Sequence, residues 1–205
     1  MDVQPQSCVR VGAQVPDFVL PAYFPETGEQ GEVRLQEYKQ QGKWVVLVFY
    51  PADFTFVCPT ELADYARYHS ALRERGVEII GVSTDTVFTH KAWLEAETML
   101  RSVRYPLAAD HTGAVSRMFG VYDEQSGVAM RGTFVISPEG VLQALQITAE
   151  NVGRSAEETY RLIEGLQFVR NNPGVACPAS WRPGEKVLKP GLDLVGNVGR
   201  TLGGD

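Results

Sequence analysis

The segment Tyr50-Pro51-Ala52-Asp53-Phe54-Thr55-Phe56-Val57-Cys58-Pro59-Thr60-Glu61 joins two different periodicities. Before it, the apolar run Trp44 to Tyr50 reads as a buried strand that breaks at Pro51. After it, a helical pattern starts at Pro59: Leu62, Tyr65, Ala66, His69 and Leu72 share one face, and Gly76 closes the helix. A cysteine therefore stands where a loop becomes a helix N-terminus. Unpaired amide donors and the positive end of the helix dipole both favour a thiolate there. Pro51 and Thr55 precede it at fixed offsets, giving the pattern Pro-x-x-x-Thr-x-x-Cys.

Outward from this segment, strand-like runs recur at 17–20, 44–50, 77–83, 133–137 and 141–148. Helical patterns lie between most of them: the one after Pro59, a second at about 89–100, a short one after Asp110, and a long one from Ser155 to Asn171. Ser155 and Glu158 have capping-box spacing. Strand, helix and strand up to Ser83 predict a βαβ unit with parallel strands. Ser137-Pro138-Glu139-Gly140 predicts a hairpin between the last two strands. The mixed order suits an α/β, thioredoxin-like sandwich: a mixed sheet flanked by helices. From Pro173 onward Pro and Gly recur, so 1–172 is expected to be the folded domain and 173–205 an irregular C-terminal arm. Such an arm needs another surface to lie on, for instance a second subunit.

Composition narrows the class. The 205 residues, 44% hydrophobic, suit one domain with a real core. A net charge of −6 argues against nucleic acid or an anionic membrane surface as partner. No apolar run approaches the roughly 20 residues of a spanning helix. Residues 1–10 are polar and carry no apolar core of a signal peptide. The three cysteines, Cys8, Cys58 and Cys177, are too few and odd in number for a stapled secreted scaffold, so a cytoplasmic setting with a transient disulfide is expected. They and the histidines His69, His90 and His111 are scattered, and no metal is expected.

A thiol with a pKa near 8.5 is about 3% thiolate at pH 7, and one with a pKa near 6 is about 90% thiolate. That gain is only about 30-fold, and intrinsic nucleophilicity falls with the pKa. A nucleophilic cysteine must also be given donors for the charge that builds on the leaving atom of its substrate, each worth about 10²–10³ in rate. The Thr55 hydroxyl and backbone amides near Cys58 are candidates. A guanidinium would serve best, being always charged and carrying a planar fork of donors. Glu61, three residues after Cys58, would by itself disfavour the thiolate.

The segment around Cys58 resembles the peroxidatic site of the peroxiredoxins, and the likeness runs over roughly residues 10–198. Arg131, in Met130-Arg131-Gly132-Thr133-Phe134, matches the family's active-site arginine, and Arg154, in Gly153-Arg154-Ser155, its second arginine. The resemblance implies that Glu61 bridges the two. Asn172-Pro173-Gly174-Val175-Ala176-Cys177-Pro178 resembles the resolving-cysteine segment of typical two-cysteine members, in which the two cysteines of opposite subunits form the disulfide. Phe88-Thr89-His90-Lys91-Ala92-Trp93 and Leu192-Asp193-Leu194-Val195-Gly196 look like the bacterial alkyl hydroperoxide reductase C group of peroxiredoxins. That group implies reduction of hydrogen peroxide and organic hydroperoxides, homodimers assembling into decamers, and thioredoxin or a disulfide-reducing flavoprotein as reductant. No cofactor is implied, because sulfur carries the redox change.

Two family features of overoxidation-sensitive members are missing. The region of their Gly-Gly-Leu-Gly insertion reads Glu97-Thr98-Met99-Leu100-Arg101-Ser102 here, and the chain ends Thr201-Leu202-Gly203-Gly204-Asp205 instead of carrying Tyr-Phe. A robust enzyme is expected. Cys8 has no counterpart in the family pattern. The alternative classes are a thioredoxin-like disulfide reductase, which normally needs a second cysteine three residues after the first, where this chain has Glu61, and a peroxide sensor or holdase chaperone on the same scaffold.

Overall fold

The computed structural model describes residues 9–203; Cys8 lies outside them. The described residues form two compact units, divided between Ala156 and Glu157.

The first unit is built on a seven-stranded sheet of order β2-β1-β5-β4-β3-β8-β9. Its strands are β1 (Val19–Phe24), β2 (Glu29–Arg34), β3 (Trp44–Phe49), β4 (Val77–Ser83), β5 (Leu107–Ala109), β8 (Arg131–Ile136) and β9 (Leu142–Thr148). β6 (Tyr122–Asp123) and β7 (Val128–Ala129) form a separate hairpin. β3 pairs in parallel with β4, and β4 with β5; the other neighbours in the large sheet are antiparallel. The helices α1 (Leu35–Gln40), α2 (Cys58–Glu74), α3 (Val87–Ala96) and α4 (Ala114–Met118) lie between strands. α2 packs on β4, and α3 on β1 and β5.

The expected βαβ unit is β3–α2–β4, and the expected hairpin is β8–β9, closed by Gly140 at φ 82° with its amide on Ser137 O. Every residue of β3 is buried, as a strand covered on both faces should be. Val45, Leu47 and Phe49 enter one core, in which Phe119 touches Phe18, Phe49 and Phe134 at centroid distances of 4.8–6.1 Å.

Some boundaries differ from the expectation. β1 runs through Pro21, because β5 pairs only with Ala22 and Tyr23 and leaves Pro21 beyond that ladder. The helix expected to reach residue 100 ends at Ala96. Glu97 is extended there, and its carboxylate caps a separate 3-10 turn, Thr98–Ser102, by accepting from Met99 N. No helix among the described residues is long and apolar enough to cross a membrane.

The second unit holds most of α5 (Ala156–Asn171) together with the Pro- and Gly-rich tail. The tail is more ordered than its composition suggests. Trp181 is buried and lies 4.6 Å from the Phe168 ring, and its indole donates to Glu185 O. Ala176 and Leu188 exchange both backbone bonds beside Cys177. A 3-10 turn (Leu192–Leu194) and α6 (Val198–Leu202) follow.

Candidate active site

Three separate pieces of sequence meet at one end of the sheet, for a topological reason. The loop after β3 leads into α2. β8 runs antiparallel to β3 with Gly132 opposite Phe49, so β8 begins where β3 ends. Thr148 pairs with Arg131, so the chain leaving β9 emerges at the same place. Cys58, Glu61, Arg131 and Arg154 thereby come together from positions up to 96 residues apart. Gly132 lets the strand through: a Cβ there would meet Phe134 at 2.8 Å and Val121 at 2.9 Å.

Cys58 opens α2 and is fully buried. Arg131 Nη1 donates to Cys58 Sγ at 3.3 Å and to Glu61 Oε2 at 2.7 Å, and Arg131 Nε donates to Glu150 O at 2.6 Å. Arg154 grips the same carboxylate from the other side: Nε and the backbone amide donate to Glu61 Oε1 at 2.7 and 2.8 Å, and Nη2 to Oε2 at 3.0 Å. Arg154 Nη1 reaches Thr133 Oγ1 at 3.2 Å, which also bonds to Tyr65 OH at 3.0 Å. Cys58, Glu61, Arg131 and Arg154 are each at most 5% exposed.

The charges explain why this cluster is tolerated in the interior. Burial pushes the Glu61 carboxyl up, but the bonds and charge of Arg154, with Arg131 behind them, outweigh burial and hold it below the usual carboxylate range. Burial works against the Arg131 cation too, yet Cys58 and Glu61 raise its pKa above the ordinary arginine value. One carboxylate between two guanidiniums leaves a net positive charge, and Arg131 carries it to the sulfur. Glu61 therefore orients Arg131 instead of repelling a thiolate.

The Thr55 hydroxyl, expected as a donor to the site, is placed differently. It gives its proton to Ala52 O at 2.8 Å, leaving its lone pairs free to accept. The amides of Thr60 and Glu61 both go to Val57 O, and Pro59 has none to give. The charged donor at the sulfur is Arg131. Pro51 is buried and, with Arg131, Val128, Ala129 and Met130, walls a cavity of about 260 Å³ beside the site.

Sequence reasoning left out Thr133 and the Glu150 carbonyl. Neither had a readable signal: one is an inward-facing strand residue and the other a backbone oxygen. Cys177 belongs to the second unit, where its Sγ lies 4.0 Å from Gly165 O beside a cavity of about 420 Å³. Among the described residues no cluster of three or more His, Cys, Asp or Glu could hold a metal ion.

Against known families, residues 11–145 match the model of the AhpC/TSA family. The chain belongs to the AhpC/TSA family. Residues 165–197 match a further model, the C-terminal domain of 1-Cys peroxiredoxin. Among AhpC/TSA relatives, alkyl hydroperoxide reductase C of Ferdinandcohnia aciditolerans is 49% identical over 81% of this chain and 99% of its own. The Enterococcus faecalis AhpC crystal structure superposes with a TM-score of 0.78 at 39% identity, covering 83% of this chain and 99% of that one. The reduced 2-Cys peroxiredoxin of Plasmodium vivax gives 0.84 at 33% identity, covering 89% and 94%. The fold is thus the thioredoxin-like sandwich of peroxiredoxins, and the activity of this AhpC/TSA protein is thiol-dependent reduction of peroxides.

Proposed function

We propose that Cys58 is the peroxidatic thiol and Cys177 of a partner subunit the resolving one, in a peroxidase acting on hydrogen peroxide and organic hydroperoxides. The observation that carries this reading is the Arg131 guanidinium on Cys58 Sγ, held there by Glu61. The Cys58 thiolate attacks one peroxide oxygen. The S–O bond forms as the O–O bond breaks, and the departing oxygen leaves as water or an alcohol after taking up a proton. Arg131 lies where it can stabilise charge on the oxygens during that exchange. Thr55 accepts a hydrogen bond from the O–H of the incoming peroxide, its own proton being held by Ala52. Pro51 shields the site, and Arg154 holds Glu61. Burial excludes water from the charge transfer.

The sulfenic acid on Cys58 then condenses with Cys177: an S–S bond forms and water leaves. Homodimer formation is supported by the two sheet edges. β2 carries Glu29, Glu32 and Arg34, charges that discourage pairing. β9, with sequence LQALQIT, is uncharged and leaves Leu145 and Ile147 more than 40% exposed, a strand fit to pair with its own copy. The tail exposes Leu192 and Val195, apolar surface that suits an arm, residues 173–205, lying on a partner. By likeness to the family, dimers assemble into decamers in the cytoplasm, and thioredoxin or a disulfide-reducing flavoprotein returns the electrons.

Burial pushes the Cys177 thiol above its ordinary value, only partly offset by Arg161. Below that pKa the thiolate fraction grows about tenfold per pH unit. Disulfide closure, followed by stopped flow after one equivalent of hydrogen peroxide, is therefore expected to accelerate steadily from pH 6 to pH 8. A flat profile over that range would remove Cys177 as the attacking thiol.

A further inference from the structure

The loop between β3 and α2 is held at two places, and only one of them is the thiol. The other is Asp53. Its two carboxylate oxygens accept from Tyr50 OH and His90 Nδ1, each at 2.8 Å. Its backbone amide donates to Asp85 Oδ2 at 2.8 Å, an oxygen that also takes the Ser83 hydroxyl at 2.8 Å. His90 is on α3 and completely buried, as is Tyr50, and Tyr50 and Phe54 both lie against Trp93 of the same helix. His90 Nδ1 lies 2.8 Å from Asp53 Oδ2 and 3.4 Å from Tyr50 OH, and its Nε2 has no partner among the described residues. A carboxylate can only accept, so Nδ1 carries the proton.

Past Asp53 the Thr55 hydroxyl bonds to Ala52 O at 2.8 Å, which ties the loop to itself and not to the rest of the fold. Phe54 has a left-handed φ of 56°, unusual for a residue with a bulky side chain, and its ring is 56% exposed; Phe56 is 92% exposed. The turn that delivers Cys58 to Arg131 hangs on the Asp53 anchor. A buried polar cluster contributes little stability that apolar packing would not. What it adds is one defined position for the loop.

We infer that His90 is a positioning residue that acts through Asp53: it holds the Ala52–Val57 loop so that Cys58 stays on Arg131, and thereby speeds oxidation by peroxide while slowing disulfide closure. The inference rests on the proposed roles of Cys58 and Cys177. Cys58 is buried while it sits on Arg131 and must leave that place to meet Cys177, so closure draws on a small released population that the anchor keeps small. Thiolate supply multiplies this population, so the pH dependence of closure persists.

The test measures both steps in the fully reduced whole chain of wild type, His90→Leu, His90→Asn and Tyr50→Phe, by stopped flow and acid-quench mass spectrometry, with thermal melting alongside. In His90→Leu, closure is expected to quicken about tenfold, as befits loss of one hydrogen bond to a charged group, while oxidation of Cys58, which draws on the still dominant held population, slows by less than about twofold. The side-chain amide of His90→Asn stands where Nδ1 stood and should restore both rates toward wild type. Tyr50→Phe, which removes only a hydroxyl, should shift both rates in the same senses but less, and decides the matter if His90→Leu does not fold. Unchanged rates in folded variants would overturn the inference, as would two rates falling together in step with the melting temperature. Wild-type protein showing no oxidation at Cys58 would instead overturn the function on which it rests.

Discussion

Cys58→Ser is expected to consume hydrogen peroxide no faster than the uncatalysed reaction, with dithiothreitol as electron donor. An alcohol is far less acidic than a thiol and has no counterpart of the sulfenic state, so neither attack nor resolution can occur. The substitution is nearly isosteric. Glu61 keeps its bonds to Arg131 and Arg154, so the fold should be retained and its melting temperature little changed. The loss is therefore chemical and complete. Persistent turnover in this variant would move the attack to another thiol, Cys8 or Cys177.

Arg131→Met should slow the bimolecular reaction with peroxide by about 10²–10³-fold, the worth of a preorganised donor at a developing charge. Arg131 makes three bonds at once, to Cys58 Sγ, Glu61 Oε2 and Glu150 O, from a planar fork. Methionine fills most of the volume and supplies none of them. Removing one partner of a buried ion pair can cost about 3–5 kcal/mol when the remaining charge is stranded. Here Arg154 keeps its grip on Glu61, so the fall in stability should lie at or below the lower end of that range. Arg131→Lys tests the geometry: an ammonium keeps the charge but cannot reach all three acceptors, so its rate should fall between methionine and wild type. Stopped-flow oxidation under single-turnover conditions measures all three. A lysine variant as slow as methionine would assign the effect to the fork; one as fast as wild type would assign it to charge alone.

How much of this was legible in the sequence depends on where the causes lie. The β3–α2–β4 unit was readable because Trp44–Phe49 and Val77–Ser83 are apolar runs and the α2 face has helical spacing. β2 was not, because its six residues, EQGEVR, carry three charges and bury only Val33. β5 has three residues, too few to show a period. α1, LQEYKQ, buries only Leu35.

Within the site, Cys58 announced itself through a helix start and a local motif. Arg131 and Arg154 did not; composition offers no way to tell them from solvated arginines, and only the family resemblance singled them out. The Asp53–His90 bond spans 37 residues and exists because β3 and β4 run parallel and end together, which no local pattern records. The Thr55 hydroxyl illustrates the opposite failure. The motif marks the residue, but the direction of its proton is set by the Ala52 carbonyl, a backbone detail that depends on how the loop turns.

The central claim is that Cys58 and Cys177 act as a pair across two subunits. Non-reducing gel electrophoresis of wild type, Cys58→Ser and Cys177→Ser after one equivalent of hydrogen peroxide tests it most directly. The account predicts a covalent dimer in wild type that both substitutions abolish. A monomeric band in peroxide-treated wild type would contradict it, placing the disulfide within one chain or handing resolution to an external thiol.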